Sequence, residues 1–279
     1  MLRVLLIILT IALILSLPSD VDLSEAIAQE WVVVDHGDRL VHSYLARPQG
    51  VEPTAAVVLI HEIFGLSDWV LGVADRLAAE GYVAIAPDLL SGMGPDGGRT
   101  PDFADRSAVT RAVSNLPSEQ VTADLQAVAA RVSQLEGVNG LVAVAGFCWG
   151  GSETFRFASA QPGLAAAFVF YGTGSNDQAA IARIDAPVYG FYGGNDARVT
   201  STVPTTTDLM KEASKFYEPV TYEEAGHGFM RSGEESGAAA ANSTAFEQAW
   251  TRWLGILMDI SPPVPAAVEA TSWGQIKAP

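Results

Sequence analysis

The stretch Leu141-Val142-Ala143-Val144-Ala145-Gly146-Phe147-Cys148-Trp149-Gly150-Gly151 decides how this chain is read. Its first five residues are small and apolar, as in a strand buried on both faces. A glycine-flanked turn follows, and residues 152–160 carry a helical pattern. Strand, tight turn and helix are the setting of the G-x-S-x-G elbow, which holds a nucleophile in a strained turn. Glycines two before and two after the nucleophile let the turn close without side-chain collisions. Here the central position holds Cys148, the only cysteine of the chain. The candidate nucleophile is therefore a thiol that reacts as its thiolate.

Working outward, Trp31-Val32-Val33-Val34 and His42-Ser43-Tyr44-Leu45-Ala46 read as two strands around a turn at Gly37-Asp38. Ala55-Ala56-Val57-Val58-Leu59-Ile60-His61 is a continuous apolar strand, and Tyr82-Val83-Ala84-Ile85-Ala86-Pro87 is another. Residues 68–80 have helical periodicity and stop at Gly81. Residues 89–105 are rich in Gly, Pro and Asp and read as an exposed excursion. Helices are expected over 107–113, 118–135, 178–184, 204–216 and 243–258, with strands over 165–171, 186–193 and 220–224. Alternating strands and helices predict an α/β fold, a mainly parallel central sheet with helices on both faces. Ligands bind such sheets at the carboxyl ends of the strands.

Length suits one large domain, expected over residues 29–258. A Pro/Ala-rich stretch, 259–279, reads as a loosely ordered tail. Residues 1–28 read as a signal peptide. Arg3 precedes an apolar run over 4–17, and Ala26-Ile27-Ala28 resembles an A-x-A cleavage site that would leave Gln29 first. The chain is then secreted or periplasmic. The alternative is an uncleaved membrane anchor at 4–17, which is short against the roughly 20 residues of a span. The net charge of −16 argues against nucleic acid as a partner. Membrane contact is expected only if the leader stays, and the protein is expected to act as a monomer. Four scattered histidines and one cysteine show no metal-ligand spacing, and no cofactor fingerprint is present.

A cysteine nucleophile needs a base, and the base needs an orienting group. Elbow hydrolases carry them in the chain order nucleophile, acid, histidine. Cys148, Asp196 in Gly193-Gly194-Asn195-Asp196 and His227 in Ala225-Gly226-His227-Gly228-Phe229 supply that order, each at a predicted strand end. Taken singly, a buried thiol, a turn aspartate and a loop histidine are ordinary. Their joint position points to a triad. The oxyanion donors are expected to be the backbone N–H groups of Trp149 and Ile63.

The chain resembles the dienelactone hydrolase family of the α/β-hydrolase fold. His61-Glu62-Ile63-Phe64-Gly65, Ala86-Pro87-Asp88-Leu89, the cysteine elbow, Gly193-Gly194-Asn195-Asp196, and Gly226-His227-Gly228-Phe229 with Arg231 carry the likeness. It spans roughly residues 30–258. The resemblance implies hydrolysis of a small activated ester or lactone, and gives Glu62 the task of taking the thiol proton as substrate binds. It also implies that Arg231 reads a substrate carboxylate, for which a bidentate guanidinium is suited. The family's second carboxylate-binding arginine is missing after Pro87-Asp88-Leu89, where Leu90-Ser91-Gly92-Met93 stands; Arg99 is the nearest candidate. A broad carboxylesterase is the alternative enzyme. A non-catalytic binding protein would be expected to lack a triad member, and a thiol sensor lacks a resolving cysteine here.

Overall fold

Continuous apolar runs form the middle of the sheet, because strands covered on both faces have no polar side. The computed structural model describes residues 27–266. The strands are β1 (Ile27–His36), β2 (Arg39–Pro48), β3 (Thr54–Ile60), β4 (Val83–Pro87), β5 (Val138–Phe147), β6 (Ala166–Phe170), β7 (Val188–Gly193) and β8 (Tyr217–Tyr222). They make one 8-stranded sheet in the order β1-β2-β4-β3-β5-β6-β7-β8. β1 and β2 form an antiparallel hairpin and β2 is antiparallel to β4; the pairings from β4 to β8 are parallel.

The helices are α1 (Asp68–Ala79), α2 (Arg106–Ser114), α3 (Ser118–Val132), α4 (Trp149–Ala160), α5 (Gln178–Ala182), α6 (Ala197–Thr200), α7 (Val203–Glu212), α8 (Phe229–Ser232) and α9 (Ala240–Ile260). Side chains alternate across a strand, so each strand feeds two cores. Val58 and Ile60 of β3 and Val144 of β5 pack with Val113 of α2, Leu125 of α3 and Phe155 of α4. Val57, Leu59 and Ala145 face the other way, toward Val70 and Leu77 of α1 and Trp253 of α9. On that side Phe170 stacks on Phe147 at 4.8 Å and on Phe191 at 4.3 Å, with Trp253 edge-on at 4.9 Å. The expected mainly parallel sheet with helices on both faces is the observed one.

The hairpin is tied down by one buried charge. Asp124 of α3 is fully buried and accepts from Arg39 Nε at 3.0 Å, Arg39 Nη2 at 2.9 Å and His36 Nε2 at 2.6 Å.

Three expectations change. Residues 89–105 do not reach the surface at once: Leu89, Leu90 and Ser91 are buried, and exposure starts at Gly92. The cause is Asp88, itself buried, whose carboxylate accepts from Leu90 N–H, Thr100 N–H and Thr100 Oγ1 and so cinches the base of the loop. β8 begins at Tyr217, ahead of the expected 220, because it pairs with β7 from Val188 onward. Beyond α9 the chain is a strap: Glu52 N–H donates to Val264 O at 2.8 Å and Ala266 N–H to Gly50 O at 2.9 Å. The expected tail continues outside the described residues. So does the leader, except that Ile27 and Ala28 are already part of β1, paired with Pro48 and Arg47. Among the described residues no helix is long and apolar enough to cross a membrane.

Candidate active site

Cys148 stands between β5 and α4 with φ 57° and ψ −115°. A non-glycine residue there costs about 1–3 kcal/mol and persists only where its surroundings over-determine it. Cys148 N–H donates to Phe170 O at 3.0 Å, and Ser152 N–H to Cys148 O at 3.3 Å. Glycine is required beside it for close approach. A Cβ on Gly150 would sit 2.3 Å from Ile60 O and 2.5 Å from His61 O, so the first turn of α4 lies directly on the end of β3.

The parallel register brings the ends of β5, β6, β7 and β8 level. Asp196 follows β7 and His227 follows β8. Asn195 N–H donates to Ala225 O and Asn195 Nδ2 to Glu224 O, both at 2.9 Å, so the two loops hold one another. Asn242 of α9 accepts from Gly226 N–H at 2.8 Å. In this frame His227 Nδ1 meets Asp196 Oδ2 at 2.5 Å and His227 Nε2 meets Cys148 Sγ at 3.0 Å. The carboxylate accepts, so Nδ1 carries a proton and Nε2 faces the thiol. The bond to Cys148 raises the His227 pKa, burial opposes it, and Asp196 adds to the rise.

Glu62 lies just past β3, almost wholly buried. Its Oε2 accepts from Arg231 Nε at 3.0 Å, and Arg231 Nη1 donates to Glu235 at 3.1 Å. Burial pushes the Glu62 carboxyl up, against the pull of the Arg231 charge. Cys148 is bonded to His227, while Glu62 is bonded to Arg231. Trp149 precedes Gly150, which lies against the Ile60 and His61 carbonyls, and Ile63 follows two residues past His61; Trp149 N–H, first in its helix, has no intrahelical acceptor.

Two residues at the site escaped the sequence reading. Tyr171, the residue after β6, has φ 40° and is fully buried, with its ring edge-on to His227 at 5.2 Å. Burial, then the neighbouring Glu62 and Cys148, hold its phenol well above the usual range. Its place level with Cys148 at the sheet edge was the available signal. Arg106, at the start of α2, lies 3.6 Å over the Phe64 ring, which Arg231 approaches at 5.6 Å. Arg99, the candidate named from sequence, lies instead 4.1 Å over Trp31 of β1. A cavity of about 350 Å³ opens between Phe64, Arg106, Thr110 and Arg111. Among the described residues no group of acidic, histidine or cysteine side chains is arranged to hold a metal ion.

The arrangement offers a thiol bonded to an imidazole and that imidazole bonded to a carboxylate, with the free first N–H of a helix beside the thiol. The dienelactone hydrolase family profile matches residues 41–261 of this chain. An Escherichia coli K12 protein named "Putative carboxymethylenebutenolidase" is 33% identical over 234 residues, covering 80% of this chain and 83% of that protein. A protein of the same name from Methylorubrum extorquens is 30% identical, covering 78% of this chain and 79% of its own length. Among solved structures, one titled as a "Putative Dienelactone Hydrolase" from Klebsiella pneumoniae superposes with a TM-score of 0.73 at 29% identity. It covers 83% of this chain and 98% of that one.

Proposed function

The chain belongs to the dienelactone hydrolase family, and from that premise we propose that it opens activated esters or lactones through a Cys148-His227-Asp196 triad. The observation that carries this reading is the unbroken line from Asp196 through His227 to Cys148, at 2.5 and 3.0 Å. Cys148 passes its proton to His227 Nε2 and its sulfur attacks the acyl carbon. The carbonyl π pair moves to oxygen, which the Ile63 and Trp149 N–H groups receive. The oxyanion collapses, the C–O bond to the leaving group breaks, and that oxygen takes a proton from the imidazolium of His227. Water then attacks the thioester, giving a proton to His227, and the thiolate departs. Thiolate is a good leaving group, so enol esters and strained lactones react well and amides poorly.

Glu62 and Arg231 fit a carboxylate-bearing substrate. A substrate carboxylate arriving at Arg231 competes for the guanidinium that now holds Glu62. A released Glu62 carboxylate can take the Cys148 proton in place of His227, and that proton then passes from Glu62 to the leaving oxygen. Arg106, 3.6 Å over the Phe64 ring, is then the candidate for the missing second arginine. The test is turnover of p-nitrophenyl acetate and of a carboxylate-bearing enol-lactone. Cys148→Ala is expected to lose both; undiminished turnover sinks the nucleophile assignment.

A broad carboxylesterase remains the second reading, favoured by Arg231 being already paired with two carboxylates. Comparing the enol-lactone acid with its methyl ester separates the two. A carboxylate reader prefers the acid, and Arg106→Ala or Arg231→Ala removes the preference. Equal rates on acid and ester favour the broad esterase.

A further inference from the structure

His61 follows β3 directly and takes no part in the hydrolysis described above. It is fully buried. Its Nδ1 lies 2.8 Å from the Glu62 carbonyl oxygen. A carbonyl only accepts, so the proton is on Nδ1 and Nε2 is bare. Burial drives the His61 pKa down, against the pull of Asp88, and the ring stays neutral. Nε2 is buried with no hydrogen-bond partner among the described residues. The ring also lies nearly parallel to the Trp149 indole, with centroids 5.5 Å apart and planes 18° from each other.

One contact falls on the peptide that carries the Ile63 N–H and the other on the side chain of Trp149, the two expected oxyanion donors. The peptide joining Glu62 to Ile63 is planar, and its C=O and N–H point opposite ways. Fixing the carbonyl therefore fixes the direction of the Ile63 N–H. Gly65 N–H donates to the same oxygen at 3.1 Å, so that carbonyl is held from two sides. Hydrogen bonds to the carbonyl also polarise the peptide and make its N–H a better donor. The stack meanwhile braces Trp149, whose N–H is the other donor.

We propose that His61 is a positioning residue of the oxyanion hole, a neutral imidazole that aims the Ile63 N–H through the Glu62 carbonyl and steadies Trp149 by stacking. The inference rests on the reading of Ile63 and Trp149 as oxyanion donors.

The test compares His61→Phe, His61→Asn and His61→Gln. Phenylalanine keeps a ring and loses the donor. Asparagine keeps an N–H near the Nδ1 position, whereas glutamine carries it near Nε2. On p-nitrophenyl acetate, His61→Phe is expected to lose about 10- to 100-fold in kcat with KM within about twofold, somewhat less than deletion of a whole donor. His61→Asn should recover part of that loss and exceed His61→Gln. The rate of Cys148 alkylation by iodoacetamide reads the thiol and His227, not the oxyanion hole, and should stay at the wild-type value in all three. Wild-type kcat in His61→Phe overturns the proposal. So do equal kcat values for Asn and Gln, or alkylation falling in step with kcat. Should His61→Phe not fold, the Asn–Gln comparison decides by itself. Failure of the hydrolase reading shows separately, as turnover retained in Cys148→Ala.

Discussion

Glu62 is a carboxyl kept from water beside a single guanidinium, and its cost depends on pH. Burial raises its folded-state pKa above the ordinary value. A group raised in this way contributes most below its unfolded pKa of about 4.3, and the contribution is lost as pH rises through the folded value. Glu62→Gln carries no such penalty. Its melting temperature relative to wild type should therefore shift in the variant's favour as pH climbs from 4 to 7, while turnover of a carboxylate-bearing substrate falls. Calorimetry at both pH values checks it, and a difference that does not move with pH contradicts it. At this scale Cys148, Asp196 and His227 were legible because each is a chemically distinctive residue in a glycine-marked turn. Tyr171 was not, because an apolar run conceals a phenol at its end. Arg106 was not, because its partner Phe64 is brought to it only by the fold.

Two elements depend on contacts that can be removed singly. The first turn of α4 rests on β3 through the missing side chain of Gly150. Gly150→Ala must push backbone against backbone, so it should lose about 3 kcal/mol in urea unfolding and most of its turnover. The β1-β2 hairpin is held to α3 by Asp124, buried under Arg39 and His36. Asp124→Ala leaves a partly buried guanidinium without its partner, and should also lose about 3 kcal/mol. A variant within 0.5 kcal/mol of wild type would show the clamp to be idle. The element pattern itself was readable from periodicity. What composition misjudged was the loop after β4. Gly, Pro and Asp report its exposed tip, but Leu89 and Leu90 are covered because Asp88 draws Thr100 back. The strap after α9 was hidden for a similar reason: its hydrogen bonds use backbone, which has no sequence signature.

At the scale of the whole molecule the expected leader segment meets the fold. Ile27 is buried, and its carbonyl accepts from Gln49 Nε2 at 3.2 Å. A cut after Ala28 would strip both residues from a strand of 10. Burying one isoleucine is worth about 1.5–3 kcal/mol when complete. A chain starting at Gln29 is thus expected to unfold about 1–2 kcal/mol more easily than one starting at Ile27. Urea unfolding of the two chains checks this, and equal midpoints contradict it. The same corner has a mechanical consequence. Ile27 pairs with Pro48, and Ala266 bonds to Gly50. A pulling force applied between residues 27 and 266 is therefore borne first by this small patch, whose bonds open one after another like a zipper. The sheet edge that holds Cys148, Asp196 and His227 is loaded only after they give way.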